Sequence, residues 1–251
     1  MDVRVRTILA SFIVAVLSLT GCATAQPQAA PTVDPYTAPA EVQAKIDNTS
    51  VAAINSCNRA PGQGVQVTFD DSGTPEQVKA ILAKLKQLGW KGVFFPTGEW
   101  AMEHWELIQL MRSEGHDVGN HTMTHANLEE LLKAGDYTAF YREIYPLKDA
   151  ETTSPRLLRP PYGGGMYNAD IGQRLKERGA QVCGWEADTN DWRGYSPEQQ
   201  LKLVMSGGKY SGKLGPNGVL LTHLSGKYTL KFLDLLAKEL DRKGWQHAAL
   251  S

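Results

Sequence analysis

Apolar residues along the chain fall into short runs and helical stripes that alternate over most of its length. Val65, Val67 and Phe69 make the first strand-like run, which ends at Asp70-Asp71. A helix is predicted over Pro75 to Leu88. Thr74 is placed to cap it, Pro75 takes the first helical position, and Gln77 completes a capping box. Val78, Ile81, Leu82, Leu85 and Leu88 form its apolar stripe, and Gly89 stops it. The pattern continues with strands at 92–96, 117–120, 157–158, 180–185, 218–222 and 245–250. Between them it predicts helices over 100–113, 170–178, 197–205 and 229–243, and one or two helices within 128–145. Strands alternating with helices imply a parallel sheet with crossover helices. About seven strands imply an α/β fold closed into a distorted, incomplete (β/α)7 TIM-like barrel, not an open sheet.

The N-terminus breaks this pattern. Arg4 and Arg6 precede an apolar run, Ile8 to Leu19, too short to span a bilayer comfortably. The run closes in L-T-G-C, which resembles the bacterial lipobox and makes Cys22 the expected lipidation site. An ordinary secretory signal cut near Ala23 or Ala25 is the alternative, and either exports the protein. Residues 1–21 are thus read as a lipoprotein signal peptide. Residues 22–50, rich in Ala, Pro, Thr and Gln, are read as a tether. Residues 51–251 are read as the folded domain. The expected location is a membrane surface, on the cell exterior or in the periplasm, with the lipid as anchor.

Composition adds two constraints. The net charge of −1 gives no basic footprint for a nucleic-acid partner. Nothing in it calls for an oligomer, and a monomer is expected. If Cys22 carries lipid, Cys57 and Cys183 remain as a pair that an oxidising compartment would bridge; two unpaired buried thiols are the alternative.

Chemistry in such barrels gathers at the C-terminal ends of strands. Asp70 and Asp71 follow the first strand, and Asn120 and His121 the third. Arg159 and Tyr162 follow the fourth, Asp188 and Asp191 the fifth, and His223 the sixth. In H-T-M-T-H, His121 and His125 stand four apart, and on a helical turn they would face one side. With a carboxylate from another strand end they would form a two-histidine, one-carboxylate metal site able to activate water. The same ligand types suit non-haem iron, so they alone do not name the metal.

T-F-D-D (68–71), H-T-M-T-H (121–125), R-P-P-Y-G (159–163), D-T-N-D-W (188–192) and L-L-T-H (220–223) resemble, in order, the five motifs of the polysaccharide deacetylase family. This is carbohydrate esterase family 4, with its NodB-like catalytic domain. The resemblance covers residues 57 to 250. It implies one divalent metal, zinc first with cobalt, nickel or manganese as alternatives, held by Asp71, His121 and His125. It implies Asp70 as general base paired by Arg159, and His223 as general acid oriented by Asp191. The Tyr162 N–H would meet the oxyanion, Trp192 and Leu221 would line an acetyl pocket, and Pro161 would touch substrate. The expected substrate is an acetylated glycan such as peptidoglycan, chitin oligomers or acetylxylan, N- or O-linked. A non-carbohydrate amide hydrolase on the same scaffold and a catalytically silent, lipid-anchored glycan binder are the alternatives.

Two local features bear on the groove. Ser72 stands where the family usually has glycine directly after the aspartates, so the turn is expected at Gly73. The Gly163-Gly164-Gly165 run would let a glycan approach the backbone. His116 is expected to pack, and His104 to sit on the surface. Trp185 and Trp192 are the better candidates for sugar contact, with Tyr195 a further stacking candidate.

Overall fold

A computed structural model describes Cys57 and residues 64–147, 149–152 and 156–248; the signal segment, the tether and Cys22 lie outside the described residues. The chain order is β1 (Gln66–Asp70), α1 (Pro75–Leu88), β2 (Val93–Phe95), α2 (Gly98–Glu103), α3 (Trp105–Ser113), β3 (Asp117–Val118), α4 (Leu128–Lys133) and α5 (Tyr137–Glu143). It continues with β4 (Arg156–Leu158), α6 (Ala169–Glu177), β5 (Ala180–Val182), β6 (Ala187–Asp188), α7 (Pro197–Ser206), β7 (Val219–His223) and α8 (Thr229–Lys243).

The α1 boundaries have the causes the sequence suggests. Thr74 Oγ1 accepts the Gln77 N–H, Gln77 Oε1 accepts the Thr74 N–H, and Gly89 closes the helix at φ 68°. Five strands pair in the order β3-β2-β1-β7-β6, all parallel, and β4 pairs with β5. A single parallel bridge, Asn120 to Leu158, joins the β3 side to β4. The strands therefore follow barrel order, and no ladder joins β5 to β6 among the described residues. This is the distorted, incomplete barrel expected.

Alternation along the strands divides two cores. Val67, Phe69, Phe94 and Leu220 face outward and pack with Ile81 and Leu85 of α1 and Phe232 and Leu236 of α8. Val93, Phe95, Leu157, Cys183 and Val219 form a separate cluster with Cys57. Because both strand faces are covered, β1 is buried at every position.

Three predicted elements differ. The helix over 100–113 is two helices, broken at His104, whose φ of −123° and ψ of 45° are not helical. Of the last strand, 245–250, the described residues 245–248 form an isolated bridge between Val65 and His247, and 249–250 lie outside the described residues. The strand over 180–185 stops at Val182 as β5, and a further short strand, β6, follows at Ala187–Asp188 with no helix between them. The cause lies at Cys183 and Gly184, whose carbonyls accept from Arg159 Nε (3.1 Å) and Nη2 (3.0 Å).

A disulfide joins Cys57 to Cys183, 126 residues apart, with Cα atoms 4.6 Å from each other. Closing so long a loop removes much denatured-state entropy. Cys57→Ser is expected to lower unfolding free energy by about 3–5 kcal/mol in urea titration. A loss under ~1 kcal/mol would show that the bridge constrains little.

Candidate active site

The register of β1 on β7 sets the site. Asp70 and His223 are cross-strand partners at the ends of adjacent parallel strands. Asp70 is the last residue of β1, and Asp71 takes a left-handed φ of 68°. That backbone turn sends the second carboxylate to the same mouth as the first, where a regular strand would send it to the opposite face. The turn thus falls on Asp71 and not, as expected, on Gly73. It costs about 1–3 kcal/mol and marks a functional constraint. Ser72 is compatible with it, its Oγ lying 3.1 Å from Thr97 Oγ1.

His121 and His125 reach Asp71, but not from a helix. Residues 121–127 form a loop in which Thr122 (φ 64°) and His125 (φ 65°) are both left-handed. Asp71 Oδ1 lies 3.1 Å from His121 Nε2 and 2.9 Å from His125 Nε2. Burial by itself raises the Asp71 carboxyl. Hydrogen bonds to His121 and His125, with the charges of His121 and His223, outweigh that and hold it well below the usual carboxylate range. His121 Nδ1 sits 2.7 Å from the Arg159 carbonyl, to which it donates, so Nε2 is the ring atom aimed at Asp71. His125 Nδ1 lies 3.0 Å from the Tyr162 hydroxyl. One ligand atom from each of Asp71, His121 and His125 falls within 4.8 Å of the other two. A cation could replace the protons that these three groups share, and two imidazoles with one carboxylate are a ligand set suited to zinc.

Arg159 fills the barrel interior and is completely buried. Its Nη1 donates to Asp70 Oδ1 and to Thr68 Oγ1, each at 2.7 Å. Its Nη2 also lies 3.3 Å from both sulfurs of the disulfide, and its plane stacks 4.4 Å from the Phe95 ring centre. Burial lowers its proton affinity and Asp70 pushes back, but a guanidinium stays charged at neutral pH.

On the other side, Asp191 holds His223. Asp191 Oδ1 lies 2.5 Å from His223 Nδ1, while Oδ2 accepts the His223 N–H at 3.0 Å and Thr222 Oγ1 at 2.9 Å. Burial favours neutral His223, but the Asp191 hydrogen bond and charge, with Asp70 and Asp71 beyond, push the imidazole up to about 9. Its Nε2 lies 4.0 Å from Asp71 Oδ2.

These groups open on one cavity of about 380 Å³, lined by Asp70, Asp71, His121, His125, Tyr162, Trp192, Leu221 and His223. Tyr162 has a left-handed φ of 60°, and its N–H makes no hydrogen bond among the described residues. Trp192 is exposed beside it. Arg159 and Asp191 stand behind the wall. Pro161 does not line the cavity; its neighbour Pro160, also buried, occupies the wall instead. Of the three glycines only Gly163 faces the cavity. A Cβ on Gly164 would strike Asn127, and one on Gly165 would strike Ile171, so those two serve packing. Trp185 and Asp188 also line the wall, and burial raises the Asp188 carboxyl to about 6. Position after a strand end signalled Asp188, but its proximity to the better-placed Asp191 masked it. Tyr195 is not on the cavity, and His116 is buried, its Nδ1 accepting the Gly92 N–H at 3.0 Å.

A model of the polysaccharide deacetylase family matches residues 58–183, which carry Asp70, Asp71, His121, His125, Arg159 and Tyr162. The chain belongs to this family. A Bacillus cereus peptidoglycan-N-acetylglucosamine deacetylase is 31% identical over 195 residues, covering 74% of this chain and 66% of that protein. The chain thus spans just under two thirds of that relative. A chitooligosaccharide deacetylase of Bradyrhizobium is 26% identical, over 73% of this chain and 87% of the relative. Among solved structures, a family 4 carbohydrate esterase from Streptomyces lividans in complex with acetate superposes with TM-score 0.62 at 27% identity, covering 76% and 95% of the two chains. The deacetylase family comprises hydrolases of acetyl amides and esters, and its (β/α)7 barrel is the architecture found here.

Proposed function

We propose that this chain is a metal-dependent hydrolase that removes N-acetyl groups from glucosamine-containing glycans. The observation that carries the reading is one cavity with a paired carboxylate, Asp70, and a paired imidazole, His223, on either side of the Asp71, His121 and His125 cluster. Those three residues would hold one divalent ion, with zinc the proposed occupant. When bound, the ion lowers the pKa of water and polarises a carbonyl oxygen.

The remaining work falls to this chain's own groups. Asp70 takes the proton of the attacking water, and Arg159 pairs and aims it. The Tyr162 N–H, strained and unspent, meets the charge that develops on the carbonyl oxygen. His223, cationic at neutral pH beside Asp191, gives its proton to the departing nitrogen. An amine leaves only when protonated, so a committed acid suits an amide more than an ester. Leu221 and Trp192 offer an apolar wall to the acetyl methyl group. The names of the Bacillus and Bradyrhizobium relatives point to the same bond.

Acetate release across a panel of peptidoglycan, chitin oligomers and acetylxylan tests this. Release from the N-acetylated glycans is expected, with loss on chelation and recovery on adding Zn²⁺ or Co²⁺. Turnover that survives thorough metal removal would sink the metal reading. Release from acetylxylan alone would sink the N-acetyl reading.

A further inference from the structure

The two histidines ride on a loop that is expensive to hold. Thr122 and His125 are both left-handed non-glycine residues, each at a cost of about 1–3 kcal/mol. Asn120 supports the first of them, its Oδ1 accepting the Thr122 N–H at 2.8 Å. The second has a different support. Glu143, the last residue of α5, is 6% exposed and turned onto the loop. Its Oε2 accepts the Thr124 N–H at 2.9 Å, its Oε1 accepts Thr124 Oγ1 at 2.9 Å, and its carbonyl accepts the Met123 N–H at 3.0 Å.

Nothing in α5 itself accounts for this carboxylate. A negative charge at the C-terminal end of a helix opposes the helix dipole. Burying a carboxylate is costly unless it is paired, and no Lys, Arg or His forms an ion pair with Glu143 among the described residues. Its acceptors are spent on Thr124, the residue immediately before His125. His121 has independent support from the Arg159 carbonyl, whereas His125, apart from Asp71 itself, has as hydrogen-bond partner beyond this loop only the hydroxyl of the exposed Tyr162 among the described residues.

We infer that Glu143 is a positioning residue that fixes the 122–125 turn and so presents His125 Nε2 to Asp71 and the ion they share. The inference rests on the metal site proposed above. Partners that orient metal ligands typically contribute 10–100-fold in affinity. Glu143→Ala is therefore expected to weaken Zn²⁺ binding by about 10–100-fold, measured on the full chain by competition with a chromophoric chelator. Glu143→Gln keeps an acceptor for the Thr124 N–H, while the Thr124 hydroxyl can turn to accept from the new amide. It is expected to restore most of the affinity. Hydrogen exchange at the Thr124 amide, read without metal, should quicken in the alanine variant and not in the glutamine one.

A purely structural role would lower the melting temperature of the metal-free protein and leave the affinity of the folded fraction unchanged; that result overturns the inference. Should Glu143→Ala fail to fold, Thr124→Val removes one of the two side-chain partners from the other end. Unaltered Zn²⁺ affinity in that variant overturns the inference equally. Failure of the unmodified protein to bind Zn²⁺ would instead remove the metal reading, and this inference with it.

Discussion

Replacing Asp70 with asparagine is expected to lower acetate release by about 10²–10⁴-fold while the protein keeps its metal. The substitution preserves shape and removes the proton acceptor. Asp70 makes no part of the ligand cluster; its Oδ1 is given to Arg159, and its Oδ2 lies 3.9 Å from His121 Nε2. Turnover and metal content measured on the same preparation separate the outcomes. Normal turnover would mean that the base is elsewhere. Loss of metal together with turnover would mean that Asp70 acts on the ion and not on the water.

Arg159→Met is expected to cost about 3–5 kcal/mol in urea unfolding and to reduce turnover as strongly as loss of the base. Methionine fills part of the space but carries no charge. It would leave Asp70 buried without its cation, and the carbonyls of Cys183 and Gly184 without their donors. Removing one member of a buried pair strands the other, which is why the penalty exceeds that of a surface ion pair. A variant as stable as the parent would show that water or a neighbour already satisfies these groups. A stable, folded variant with full turnover would dismiss Arg159 from the mechanism.

The two variants report on different parts of one arrangement. Asp70→Asn tests the chemistry of the carboxylate, and Arg159→Met tests the buried guanidinium that pairs it. Neither touches His223, whose proton is held from the far side by Asp191. If both variants lose turnover yet retain the proposed ion, the base and its support are separable from the metal site.

Much of this protein was legible in its amino-acid order. Strand and helix periods, the Thr74 and Gln77 cap, and Gly89 at the end of α1 are local matters, decided within a few residues of chain. So were the identities of the groups at the strand ends, because a parallel barrel sends every C-terminal end to one side. The tertiary structure decided the rest. Asp71 faces the mouth through a left-handed backbone. The histidine spacing works through a strained loop and not a helical turn. That loop is held by Asn120 just before it and by Glu143 from a separate helix. The strand expected over 180–185 stops at Val182, where Arg159, more than twenty residues earlier, takes the next two carbonyls. Pro160 and not Pro161 meets the cavity, because the chain turns at Tyr162. Residue type and periodicity set which groups arrive at the site. Backbone strain and its direction depend on hydrogen-bond partners supplied by other elements, and those partners exist only once the barrel has closed around them.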